Sequence, residues 1–485
     1  MQQWVVVSII IGAYLALTLT IGLLAGRKSS DSVTGYVAAD RSFGLLVMYF
    51  VTGASVFSAF AFLGGPGWAY SRGAAAFYIL AYGALGMAPF YWVGPRAAAL
   101  GRKFGYVTQA QLVVGRFPSR TLSALIAGLS LIAFIPYITL QIRGAGIVIE
   151  AVTDGNVPIW LGSLVAYGIV VLYVLASGAM AVGWTNTFQG VFMVIIAWSL
   201  GLYLPYRLYG GVTPMFEQIM DVRPEMLVPP GLTATGEPWS WGAYSTFIIV
   251  SAVGLMMWPH LFMKAFTAKD DDTMRRTVIL FPTFQLFLIP VFLIGFSGIL
   301  FSGGPSSADF ILPYMILETG LPAVVVGLFC AGALSASMST GDALLHASAS
   351  VVVEDGVTQF VKLDDRQRRL LMRILVLLTG TTAYYFAQDA ESSLVLLLAT
   401  AYGVISQLAP PVISAMYWRR ATTIGVLAGL LAGTATSVFF YFNPDLRPFD
   451  MHEGVLGLII HVPVLISVSL MTPIQNDKHL AGFFS

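Results

Sequence analysis

The sequence predicts an all-α polytopic membrane protein, and three observations carry that prediction. Hydrophobic residues make up 57% of the 485-residue chain, charged residues only 10%, and charge-free stretches recur along its whole length. Soluble domains carry about a quarter of their residues as charges, and a mean hydropathy of +0.80 lies well outside their range. Twenty-five Lys+Arg against 24 Asp+Glu leave a net charge of +1, so no basic face exists for nucleic acid. The single cysteine, Cys330, sits in an apolar run and excludes a disulfide framework or a cysteine metal cluster.

A membrane-crossing helix needs about 20 apolar residues, so the gaps between charges mark the spans. The first is Gln3 to Ala25, which has neither a basic leader nor a small-residue cleavage pattern and is expected to be retained. Arg41 to Arg72, Arg72 to Arg96 and Arg120 to Arg143 supply the next three. Asp154 to Arg207 is free of charge for 52 residues and holds two, joined by a turn around Gly178, Gly183 and Asn186. Glu237 to Lys264, Arg276 to Asp309, Leu321 to Val353, Leu371 to Ala387, Glu391 to Arg419, Ala421 to Phe442 and Val455 to Met471 bring the expected total to 13. Thr108 to Phe117 reads as a short amphipathic helix lying at the interface.

With the N-terminus outside, 20 of the 25 cations fall in inner loops, among them Arg27, Lys28, Lys264, Arg368 and Lys478. Only Arg72, Arg143, Arg207, Arg223 and Arg447 fall on the other side. That bias predicts an outer N-terminus and a cytoplasmic C-terminus. No polar segment is long enough for a soluble domain, so residues 1–485 form one membrane domain.

Two spans carry helix-weakening sequences at membrane depth. The second has Gly53-Ala54-Ser55-Val56-Phe57-Ser58 followed by Gly64-Gly65-Pro66-Gly67, and the seventh has Ser251-Ala252-Val253-Gly254 followed by Pro259-His260. An opened backbone in hydrocarbon is tolerated only where it faces protein or a water-filled cavity, which makes such breaks markers of ion and solute sites. Two breaks five spans apart predict a five-plus-five inverted repeat: 3–25 as an extra helix, 42–207 and 238–420 as the repeats, and 421–473 as two closing helices. The ninth span clusters hydroxyls in Ala336-Ser337-Met338-Ser339-Thr340-Gly341-Asp342. Two adjacent hydroxyls with carbonyls of a facing broken helix can hold a hard monovalent cation such as sodium without a net buried charge. Back-bonding of the hydroxyls to the preceding turn is the competing role. Asp342, an intramembrane acid, either supports that site or faces inner water. The five histidines show no metal-ligand spacing and no hydrolase motif is present, so an enzyme is not expected.

Several motifs taken together resemble the sodium/solute symporter family of proline, pantothenate, monocarboxylate, sialic acid and glucose carriers. They are Gly64-Gly65-Pro66-Gly67, Tyr137 to Glu150, Gly183 to Gln189, Trp258-Pro259-His260, Met338 to Asp342, and Ala409-Pro410-Pro411 with Tyr417 to Arg420. The resemblance implies a leucine-transporter-type fold in a prokaryotic inner membrane, alternating access, and uptake of a small solute driven by transported sodium, with no obligate protein partner. It places the ion on Ala54, Phe57, Ala336, Ser339 and Thr340. The family usually carries an aspartate where this chain has Asn186, which favours a single sodium or a proton contribution and marks Asn186, with Asp342, as a coupling position. By the same analogy Ser58, Ala61, Tyr137, Gln141, Arg143, Ser251, Leu255, Tyr402 and Gln407 face the solute. That set is small and mostly apolar. A sugar needs many donors and acceptors, whereas a short carboxylate needs one cation or a few N–H groups and an apolar wall. A short monocarboxylate is therefore the expected solute, and the Tyr137 and Trp258-Pro259-His260 segments look most like that branch. Neutral amino acids and pantothenate are the rivals, and a proton-coupled carrier or a non-transporting sensor are the other classes. Arg143, the expected partner for a carboxylate, could instead reach the outer surface or pair with Glu150.

Overall fold

A computed structural model describes residues 3–27, 30–388 and 394–484. Lys28 and Glu391, used above to mark loops and spans, lie outside the described residues, as does the Lys478 side chain. The described chain is α-helical apart from two isolated β-bridges. Eight of its helices are long and apolar enough to cross a bilayer, and the number rises to ten if each of two bent helix pairs counts as one span.

Both bent pairs fall where the sequence places its breaks. Leu45–Val56 and Phe60–Met87 meet at 57°, and Trp241–Leu255 and Pro259–Thr267 meet at 45°. The first pair resumes through a π-helical turn, Phe60–Gly64, a form common at functional sites. The N-terminal end of the first pair and the C-terminal end of the second are stitched together by backbone: Phe43 N donates to the Thr267 carbonyl and Lys269 N to the Phe43 carbonyl, each at 3.1 Å.

The expected fifth and sixth spans are two helices running through Ile159–Tyr209 and joined at a sharp kink at Gly178. Gly183 and Asn186, expected in the turn, lie inside the following helix instead. At Gly178 φ is +53° and ψ is −137°, backbone space that residues with a Cβ avoid, and the Tyr36 carbonyl lies only 2.5 Å from where a Cβ would stand. Two other expected spans are assembled from shorter helices, the third ending in Phe90–Phe104 and the eleventh built from Leu394–Ile405 and Ala409–Tyr417. Charge spacing misses such interruptions because they contain no charge.

The core gathers on Ala323–Val351, in which every residue from Phe329 to Val351 is buried. Around it pack Gln3–Gly26, Arg120–Val152 and the two helices of Ile159–Tyr209. The short amphipathic helix forms as Gln109–Arg116, closed by a Thr108–Gln111 capping box. It is docked rather than free: the Thr108 hydroxyl donates to Asp355 at 2.6 Å and Gln111 Nε2 to Glu354 at 3.2 Å.

Candidate ion and solute site

The first break meets the hydroxyl-bearing helix face to face. Ser339 Oγ donates to the Ala54 carbonyl at 2.8 Å and lies 3.2 Å from the Ala336 carbonyl. Thr340 Oγ1 is 3.3 Å from the Ala54 carbonyl and 3.2 Å from that of Ser55. The helix can spare these carbonyls because it stops there: Phe57 turns out of the ladder with ψ +88°, which frees acceptors that an unbroken helix would consume. Ala54, Ala336, Ser339 and Thr340 thus bring four neutral oxygens into one cluster. Phe57, the fifth expected position, sits at the turn itself, its ring stacked on Phe284 at 5.7 Å.

Asn186 braces this cluster. Its Nδ2 donates to the Ser339 carbonyl at 2.8 Å and to Ser55 Oγ at 3.1 Å, while its Oδ1 is buried without a partner among the described residues. One turn beyond Ser339, Asp342 is fully buried. The Tyr173 hydroxyl donates to its Oδ2 at 2.9 Å and the Thr185 hydroxyl lies 3.1 Å from the same atom. Asp342 therefore lies in the protein interior, beside the cluster rather than in inner-facing water, the second of its two expected placements.

The expected solute positions divide. Gln141 and Tyr137 share one helix face turned to the first break, where Gln141 Oε1 accepts the freed N–H of Ala59 at 3.0 Å. The Ser337 hydroxyl donates to the Gln141 carbonyl at 2.6 Å. Gln141 Nε2 is buried with no partner among the described residues. Tyr137 packs on Trp258 with ring centroids 4.8 Å apart, and Tyr402 on Trp258 at 5.7 Å. Gly254 makes room for Tyr402, since a Cβ there would stand 2.6 Å from the ring. Ser58, Ala61, Ser251 and Leu255 are buried in the same two breaks, Leu255 against Gly86.

Two expected members lie elsewhere. Gln407 is turned toward the last two helices, with Nε2 donating to the Gly454 carbonyl at 2.9 Å and Oε1 3.2 Å from His461 Nδ1. Arg143 is half-buried and lies one turn after Thr139, whose hydroxyl points to the Ala383 carbonyl at 3.4 Å. That side differs from the one carrying Tyr137 and Gln141. Among the described residues Arg143 makes no ion pair with Glu150.

Against this geometry, comparison with known proteins is decisive. The profile of the sodium:solute symporter family matches residues 36–433. The chain belongs to that family. It is therefore a transporter and not an enzyme, and sodium is its transported coupling ion. The symporter is 28% identical to the uncharacterized symporter YhjB of Bacillus subtilis, with 96% of each chain covered. It is 24% identical to the sodium/pantothenate symporter of Haemophilus influenzae over 89% of each. A monocarboxylate transport permease protein of Rhizobium johnstonii is also 24% identical, over 95% of this chain and 96% of that one. Among solved structures, the outward-open, substrate-bound state of a Na+-coupled sialic acid symporter superposes with a TM-score of 0.81 at 16% identity, covering 97% of this chain and 99% of the other. The symporter shares that fold.

Sequence reasoning missed three groups in the symporter's interior. Trp258 sits between Tyr137 and Tyr402, and its Trp-Pro-His motif was the available signal. Tyr173 and Thr185 hold Asp342, and only the fold brings them there. Lys264, counted above among loop cations, is buried at 7% exposure.

Proposed function

We propose that this chain couples inward sodium flow to uptake of a short monocarboxylate by alternating access. Sodium would be held by the carbonyls of Ala54, Phe57 and Ala336 and the hydroxyls of Ser339 and Thr340, an all-neutral oxygen set matched to a hard monovalent ion. The observation that carries the solute assignment is the buried Gln141 Nε2, an unsatisfied donor beside an aromatic wall of Tyr137, Trp258 and Tyr402. A buried N–H without a partner is costly, and a carboxylate oxygen would satisfy it while an apolar tail met the rings. The monocarboxylate permease among the relatives supports the same solute class, and the pantothenate symporter supplies the rival, itself a carboxylate.

The wider frame is proposed with it. Thirteen spans, the inverted repeats 42–207 and 238–420, and a cytoplasmic-membrane orientation with the N-terminus outside agree with the two bent pairs, the fold shared with the sialic acid symporter and the inward bias of cations.

Uptake of labelled pyruvate, lactate, propionate, proline and pantothenate into proteoliposomes tests the assignment. An inward sodium gradient is expected to drive accumulation of at least one short acid, and an inward proton gradient alone none. Uptake confined to proline or pantothenate would sink the solute class, and proton-only uptake would sink the ion assignment. A second expectation concerns Asn186: placing a carboxylate there by Asn186→Asp raises the Hill coefficient for sodium. An unchanged coefficient in folded protein would leave the residue as a hydrogen-bond brace alone.

A further inference from the structure

We infer that the small cavity headed by Lys264 and His260 is a carboxylate site on the solute's inner release path, an assignment that rests on the monocarboxylate proposal above. The cavity lies at the level where Phe43 pairs with Thr267, below the second break, and is walled by Phe43, Met263 and Ala347. Lys264 and His260 are both buried. Among the described residues the Lys264 ammonium makes no hydrogen bond and no direct ion pair, and neither ring nitrogen of His260 meets hydrogen-bond geometry, although the Ser55 backbone lies close enough to act on the ring. An ammonium left this way in an apolar surround is strongly unfavourable, whereas an anionic oxygen accepts from both groups at once.

The other polar groups around the cavity are already spoken for. His346 Nε2 lies 2.8 Å from the Tyr36 carbonyl, and the Thr267 hydroxyl donates to the Lys264 carbonyl at 2.8 Å. The charge that acts on Lys264 is Asp342, which is not in contact with it and precedes the cavity residue Ala343. A cation head with apolar walls suits a short acid. Asp342 also ties the two cargoes together. Sodium at Ser339 and Thr340, one turn away, would act as counter-ion to Asp342 and leave Lys264 to the solute, so each cargo favours the other's binding. The cavity holds only about 10 Å³ in this structure, room for no more than a water, so it must widen as the inner path opens to take the solute, and the site is read from the inner face.

The test compares everted and right-side-out membrane vesicles carrying the full chain, with labelled pyruvate as the probe. Lys264→Met is expected to raise the half-saturating pyruvate concentration about tenfold from the inner face and less than about threefold from the outer face, while Lys264→Arg stays near the native value on both. An unchanged inner value, or an equal rise on both faces, would overturn the site. His260→Gln carries the same comparison with a rise of about threefold if Lys264→Met does not reach the membrane. Chloride in place of gluconate at the inner face is expected to leave pyruvate saturation unchanged, and competition by chloride would overturn the carboxylate assignment in favour of a general anion site. A native chain that exchanges neither pyruvate, lactate nor propionate fails before any substitution is made, which separates failure of the solute class from failure of the site.

Discussion

Ser339→Ala is expected to raise the sodium concentration for half-maximal uptake by about tenfold to a hundredfold, the range that follows from losing one interaction of about 1.5–3 kcal/mol with a charged group. The hydroxyl is 2.8 Å from the Ala54 carbonyl, so its removal strips one ligand and loosens the contact that holds a second in place. Thr340→Ala is expected to act in the same direction. Ser337→Ala is the control, because that hydroxyl donates to the Gln141 carbonyl at 2.6 Å and is turned away from the cluster. It is expected to leave sodium dependence unaltered. Uptake measured against sodium in proteoliposomes decides the matter, and a Ser339→Ala protein with native sodium dependence would remove the hydroxyl from the ion's coordination.

Gly178→Ala is expected to destabilise the fold by about 3 kcal/mol or more, a large cost for a single methyl group. Backbone held where only glycine is at ease contributes about 1–3 kcal/mol of that when a Cβ is added. The remainder comes from a backbone oxygen that cannot rotate aside, the Tyr36 carbonyl at 2.5 Å from the new methyl. That carbonyl is also the partner of His346 on the hydroxyl-bearing helix, so relief by moving it disturbs the core. Gly168→Ala is the matching control, with nothing within 4 Å of its Cβ. Thermal unfolding in detergent is expected to separate the two variants clearly, and equal midpoints would show that the fold at 178 tolerates a side chain.

Much of the fold is legible in the sequence because bilayer physics is simple: charge spacing finds apolar segments, and small residues with proline mark where a helix opens. The hydroxyls of Ser339 and Thr340 are legible for the same reason, as polar groups that an apolar helix carries at some cost. Direction is what a one-dimensional pattern lacks. Gln407 and Gln141 look alike as amides in apolar spans, yet one serves the last two helices and the other the first break. Lys264 illustrates a different gap. Charge counting assigns it to a loop, and only packing shows that it is enclosed. Arg143 stands as the reverse case, a cation expected by analogy to meet the solute and placed by rotation on another side.

The coordination proposed for sodium mixes two kinds of ligand, and they leave different traces under mutation. Hydroxyls are encoded, whereas the oxygens of Ala54 and Ala336 belong to the peptide backbone and survive any replacement of their side chains. A deep mutational scan of transport would then flag Ser339 and Thr340 for their chemistry, but Ala54 and Ala336 only for bulk, tolerating glycine or serine and rejecting larger residues. About half of such a site is hidden from genetics, and isotope-edited infrared or backbone ester substitution is needed to see it.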